Sequence, residues 1–216
     1  MKFILLAFSL FIVTELSAQF KPFYGQLTYK VEHADTQYRK LYPTSYMSIF
    51  SNDTIVRVEN ETQQLGKQIT IRHMALNKSY QLVEVNGKKF AILFDHAKEK
   101  ADSTVFDIKK KIGRRKLFGH SCKRIRVKIP EIDQPLQFIY FTSFQNKYIN
   151  NLKNIPGLPV DFYLNSKDGL YHYQLIKFEE YMPNRDLFGI PTTYKRVSFD
   201  QFMEELFPAQ EIEQEK

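Results

Sequence analysis

Ser79-Tyr80-Gln81-Leu82-Val83-Glu84-Val85-Asn86-Gly87-Lys88-Lys89-Phe90-Ala91-Ile92-Leu93-Phe94 is two short runs folded around Asn-Gly. Asn-Gly is the strongest short hairpin signal, because both residues tolerate the positive φ of a type I′ turn. Ser79 to Val85 and Lys88 to Phe94 are therefore predicted as paired antiparallel strands. A second pair, Val160 to Asn165 and Leu170 to Glu179, flanks Lys167-Asp168-Gly169 and reads as a hairpin with a slightly longer loop.

Outward from these hairpins the pattern continues. Leu27, Tyr29 and Val31 alternate with Thr28 and Lys30, the period of a strand with one wet face. Tyr46 to Phe50, Thr54 to Glu59 and Lys67 to Met74 are further short runs, the last with Ile69 and Ile71 on one face. Cys122 to Ile129, Leu136 to Thr142 and Thr193 to Phe199 follow. The chain has 13 Tyr, 19 Phe and no Trp, an aromatic content suited to pleated, half-buried surfaces. About ten short strands joined by tight turns predict a mainly β fold, an antiparallel sheet curved into a barrel, half-barrel or sandwich. Helix signals are few. Ser198-Phe199-Asp200-Gln201 is a capping box ahead of Phe202 to Phe207, and Pro208 would end that helix. The polar stretch from Asp95 to Asp107 reads as a loop with at most one helical turn.

The first residues have the layout of a secretory signal. Lys2 precedes an apolar run from Phe3 to Val13, then a short polar stretch with a small residue at Ala18, where cleavage is expected. The run is shorter than the roughly 20 residues that span a bilayer. No Cys follows Ala18 to accept a lipid, so the expectation is an exported protein of the periplasm or cell envelope, not a lipoprotein. No later run is long enough to span a membrane. Residues 19–208 are expected to form one β domain, the length being ordinary for a single unit. An acidic tail, 209–216, carries Glu211, Glu213 and Glu215.

The net charge is +7. Such a balance favours anionic partners, lipid headgroups or acidic glycans, without bearing on the fold. Nucleic acid is a poor partner for an exported chain. The single cysteine, Cys122, forms no internal disulfide; a buried hydrophobe, an intermolecular bridge and a reactive thiol are its three readings, of which the buried one ranks first.

Two segments stand out. Lys109-Lys110-Lys111-Ile112-Gly113-Arg114-Arg115-Lys116 is the most basic. Beyond it Arg124, Arg126 and Lys128 alternate with Ile125, Val127 and Ile129, giving one apolar strand face and one basic row. That row is either a contact for an anionic partner or a solvated edge guarded against pairing. The other segment is Pro156-Gly157-Leu158-Pro159. Pro156 suits the second position of a type II turn and Gly157 the positive φ that follows, and Pro159 suits the first residue of a strand.

On these residues the chain resembles the exported Bacteroidetes proteins named for a Gly-Leu-Pro-Gly-Leu-Ile motif. The matching motif is Pro156-Gly157-Leu158-Pro159-Val160-Asp161, the shorter Pro-Gly-Leu-Pro form. Gly119-His120-Ser121-Cys122-Lys123-Arg124 is similar to the family's Gly…Cys-Lys strand start. Gly25-Gln26-Leu27-Thr28-Tyr29 and Tyr46-Met47-Ser48-Ile49-Phe50 look like its opening strands. The resemblance implies an envelope protein with a single curved antiparallel sheet, somewhat like the lipoprotein-sorting carriers, and no particular activity.

Nucleophile-elbow, zinc-helix and phosphate-loop motifs are absent from the sequence. The five histidines show no ligand spacing. His172, between Tyr171 and Tyr173, reads as a half-buried strand residue, and Asp95-His96 as a chance neighbour pair. Asn-x-Ser/Thr triplets at Asn52, Asn60 and Asn77 are read as coincidence. No catalytic residue, metal ligand or cofactor is expected. The leading expectation is a non-enzymatic module that binds a lipid or other amphiphile in the concave face of its sheet. An interaction or scaffold module using Arg124, Arg126 and Lys128 on an envelope protein or anionic surface is the second. A hydrolase with an unfamiliar site, visible as polar groups with shifted pKa values in a cleft, is the third.

Overall fold

The computed structural model describes residues 20–62, 66–95, 106–149, 152 and 154–207. The expected signal segment, the acidic tail, Pro208 and His96 lie outside the described residues, as does most of the stretch from Asp95 to Asp107.

One sheet organises the chain. Its strands are β1 (Tyr24–His33), β2 (Ser45–Asn52), β3 (Ile55–Thr62), β4 (Gly66–His73), β5 (Lys78–Val85), β6 (Lys88–Asp95), β7 (Asp107–Leu117), β8 (His120–Lys128), β9 (Leu136–Phe141), β10 (Leu158–Ser166), β11 (Gly169–Glu180) and β12 (Lys195–Ser198). They lie in the order β12-β6-β5-β4-β3-β2-β1-β11-β10-β9-β8-β7. Every pairing is antiparallel except that of β12 on β6. β7 and β12 are the two ends, so the sheet is open. The predicted mainly β, antiparallel sheet is the architecture observed, without closure into a barrel.

The two halves of the sheet differ in regularity. From β2 to β6 every pairing runs without a register shift. On the other side of β1, shifts occur opposite Thr28/Tyr29, between Pro159 and Asp161, and at two places in β7. Each bulge bends its strand and increases the local twist. The main core lies mostly on this irregular half and reaches across β1 to Ile49 and Val56. Leu27, Tyr29, Ile49, Ile125, Val127, Phe138, Val160 and Phe162 from the strands meet Phe23, Phe106, Phe144, Tyr148, Leu152 and Ile155 from connecting segments. The regular half has two smaller clusters. Ile71, Leu82 and Ala91 pack under Ile190 and Tyr194. Phe90, Ile92 and Val197 pack under Phe202, which belongs to the helix α1 (Phe199–Leu206). That helix starts on the expected capping box, Ser198 and Gln201 each bonding the other's backbone.

Local signals place most strands, and the differences are informative. The Asn86-Gly87 turn has both residues at positive φ, as a type I′ turn requires. The β10–β11 loop is shorter than expected, because Ser166 pairs directly with Gly169. The basic run Lys109 to Lys116, predicted only as a charged segment, lies within the edge strand β7. Gly157 is not at positive φ, so the type II turn is corrected. A Cβ there would sit 2.1 Å from the Phe141 carbonyl oxygen and 2.7 Å from the Tyr140 ring. Glycine is needed for close approach of two backbones rather than for its φ. Pro159 is the second residue of its strand, and its carbonyl accepts a bond from the Tyr29 hydroxyl at 2.7 Å.

Candidate functional site

Three places bring chemistry-bearing side chains together. The first is the β7–β8 hairpin at the end of the sheet. Ile125, Val127 and Ile129 are buried, so the predicted apolar face of β8 turns inward. Arg126 and Lys128 are exposed, together with Arg114, Arg115 and Lys116 on β7. Among the described residues, none of these five cations forms an ion pair with a carboxylate. Arg124 departs from the expected row. It is only half-exposed, its Nε is buried without a partner, and its guanidinium lies over Gly113, where a Cβ would meet Nη2 at 2.7 Å. The bulge at Gly113 thus draws one of the three predicted residues partly inward.

The tip of this hairpin is Phe118-Gly119, both at positive φ. A bulky non-glycine residue in that region is uncommon and strained. Phe118 is 45% exposed, with one side against Phe178 at 6.3 Å between rings. His120, beside it, lies 3.3 Å from Glu180, which precedes the exposed Tyr181 and Met182. An apolar tip therefore projects next to the cationic strands. Cys122 is fully buried. Burial pushes its thiol pKa up, against the attraction of the Arg115 charge, which makes it a poor nucleophile.

The second place is on β10 and β11. His172 Nε2 lies 2.9 Å from Asp161 Oδ1, and its ring stacks on Tyr163 with centroids 4.5 Å apart. The pair is half-buried on strands, as predicted for His172. Burial first, and then the Asp161 charge, raise the Tyr163 hydroxyl pKa.

The third place has no signal in the sequence. The β2–β3 turn, the β4–β5 turn and the segment 144–149 converge. Asp53, at φ 69°, accepts from the Tyr148 hydroxyl at 2.6 Å and from Lys147 Nζ at 2.7 Å. The same Tyr148 oxygen accepts from the Phe23 amide at 2.7 Å. Burial alone would raise the Asp53 pKa, but the bonds from Lys147 and Tyr148 outweigh it and hold the carboxyl below its ordinary value. Burial, and then the Asp53 bond, push the Tyr148 hydroxyl far upward. Beside this network Arg72, His73, Met74, Asn77, Asn146, Lys147 and Ile149 line a cavity. The residues come from three separate stretches, which explains why no spacing in the sequence announces them. Among the described residues, no group of three His, Cys, Asp or Glu side chains is placed to hold a metal. No described helix is long and apolar enough to cross a membrane.

No protein-family model and no curated protein matches the chain. Among solved structures, it is similar to one of PNGF-II, with 11% identity and a TM-score of 0.46 over 85% of this chain and 33% of that one. The chain thus spans about a third of the length of that structure.

Proposed function

We propose that this is an exported, non-enzymatic envelope protein that rests on an anionic lipid surface through its β7–β8 hairpin. The observation that carries the reading is five exposed cations that have no carboxylate partner among the described residues, adjoining an exposed aromatic tip on the terminal strand pair. Cations near an anionic membrane contribute about 1 kcal/mol each, and an apolar side chain beside them adds insertion into the headgroup layer. A hairpin at the sheet end has the reach for such a contact, because β7 ends the order of the described strands. The charges also blunt an edge strand against pairing, but that task does not call for a strained, exposed Phe at the turn. The aromatic core of the irregular half supports a carrier role less well. Tyr148, Ile149, Leu152 and Ile155 already fill the space over it, so an apolar ligand would have to displace them.

Cosedimentation tests the reading. The purified protein should partition onto phosphatidylglycerol-containing vesicles and not onto pure phosphatidylcholine. Reversing Lys116, Arg126 and Lys128 to Glu should weaken that partition roughly a hundredfold or more, by about 1 kcal/mol for each cation lost. Equal binding to both vesicle types, or binding indifferent to the reversal, would overturn it.

A further inference from the structure

The cavity beside Asp53 has a volume of about 290 Å³, the lower end of the range for small-ligand pockets. Its electrostatics are unbalanced. Lys147 is neutralised by Asp53 at 2.7 Å, whereas Arg72, half-buried, has no carboxylate within ion-pair distance among the described residues. The Arg72 Nη2 donates to the Lys147 carbonyl at 2.6 Å, which restrains the guanidinium. Nε is buried without a partner. Nη1 and the second Nη2 proton are left over. A guanidinium with unpartnered N–H donors on a rigid planar fork is the kind of group that takes a carboxylate with two bonds. Charges removed from water are ordinarily paired, so an arginine in this state beside an opening lacks a counter-ion. The rest of the lining has an apolar part, Met74 and Ile149, the imidazole of His73, and the side-chain amides of Asn77 and Asn146. Asn146 is itself held by a bond from its side-chain amide to the Leu152 carbonyl.

We infer that this cavity binds a small organic anion, a carboxylate on a short apolar body, with Arg72 as its counter-charge. The carboxylate bonds the free edge of the guanidinium, and the apolar body lies against Met74 and Ile149. The site is separate from the hairpin and does not depend on the membrane contact. Desolvation makes the Arg72 charge harder to hold, and the opposite charge of a bound anion offsets that cost.

The test is a titration of the ¹⁵N-labelled protein with sodium hexanoate, against sodium chloride at equal ionic strength. Hexanoate should give saturable amide shifts at Met74, Asn77 and Lys147, and chloride should not. Arg72→Gln should weaken hexanoate at least tenfold. Asn77→Asp places a carboxylate at the lining while keeping Arg72 and suits the left-handed backbone at φ 52°, where Asp is tolerated. It should also abolish binding, and it decides the matter if the Arg72 variant does not fold. No saturable shift, or shifts unchanged in the folded variants, would overturn the proposal. Inorganic phosphate binding as tightly as hexanoate would overturn the assignment to an apolar carboxylate.

Discussion

β9 and β8 are neighbours in the sheet, yet they have opposite characters. Phe138, Ile139, Tyr140 and Phe141 of β9 are all buried, so that strand is covered on both faces. One step outward, β8 buries Ile125 and Val127 but exposes Arg126 and Lys128, and β7 beyond it exposes Arg114, Arg115 and Lys116. The passage from core to charged edge takes a single strand. Stability and contact are therefore separated in space, and mutations in the two regions should give opposite readouts.

The largest effect is expected in β9. Phe141 is fully buried and its ring meets Phe144, Phe178 and His120. Phe141→Ala should cost about 3–5 kcal/mol in urea unfolding, with membrane affinity of the remaining folded fraction unchanged. A cost below about 1 kcal/mol would show that β9 is not the centre of the core. Asp53 comes next. Its folded carboxyl titrates below the ordinary value, so the unfolded chain takes up the proton first as the pH falls. The contribution is present above the unfolded pKa of about 3.9 and is lost as the pH drops through the folded pKa. Asp53→Asn should lower stability by about 1 kcal/mol at neutral pH and flatten the acid limb of the profile. An unchanged acid limb would place that pH dependence elsewhere. The smallest effect on stability belongs to the hairpin. The triple reversal on β7 and β8 should stay within about 0.5 kcal/mol of the parent while removing vesicle binding.

What the sequence revealed follows the range of the forces involved. The Asn86-Gly87 hairpin, the alternation of Leu27, Tyr29 and Val31, and the Ser198 capping box are set by neighbours a few residues apart. β7 escaped because a lysine-rich run has weak strand preference; it is a strand because β8 offers a ladder to pair with. Gly157 was legible as a special position but not for the right reason, since its constraint comes from Phe141, on another strand. The basic row of Arg124, Arg126 and Lys128 was visible in the alternation. The partial burial of Arg124 depends on the bulge at Gly113 across the ladder. The Arg72 cavity was invisible, being assembled from the end of β4 with its following turn and from the segment 146–149, which meet only in the fold.

The chain contains no Trp, so one introduced Trp reports on its own surroundings. Phe118→Trp places it at the hairpin tip; Leu76→Trp, at the exposed β4–β5 turn, serves as the control. On phosphatidylglycerol vesicles the emission of the Phe118 variant should shift to the blue, return on adding salt, and stay unshifted on phosphatidylcholine, while the Leu76 variant does not move. An unshifted tip on anionic vesicles, or equal shifts at both positions, would contradict contact through the β7–β8 hairpin.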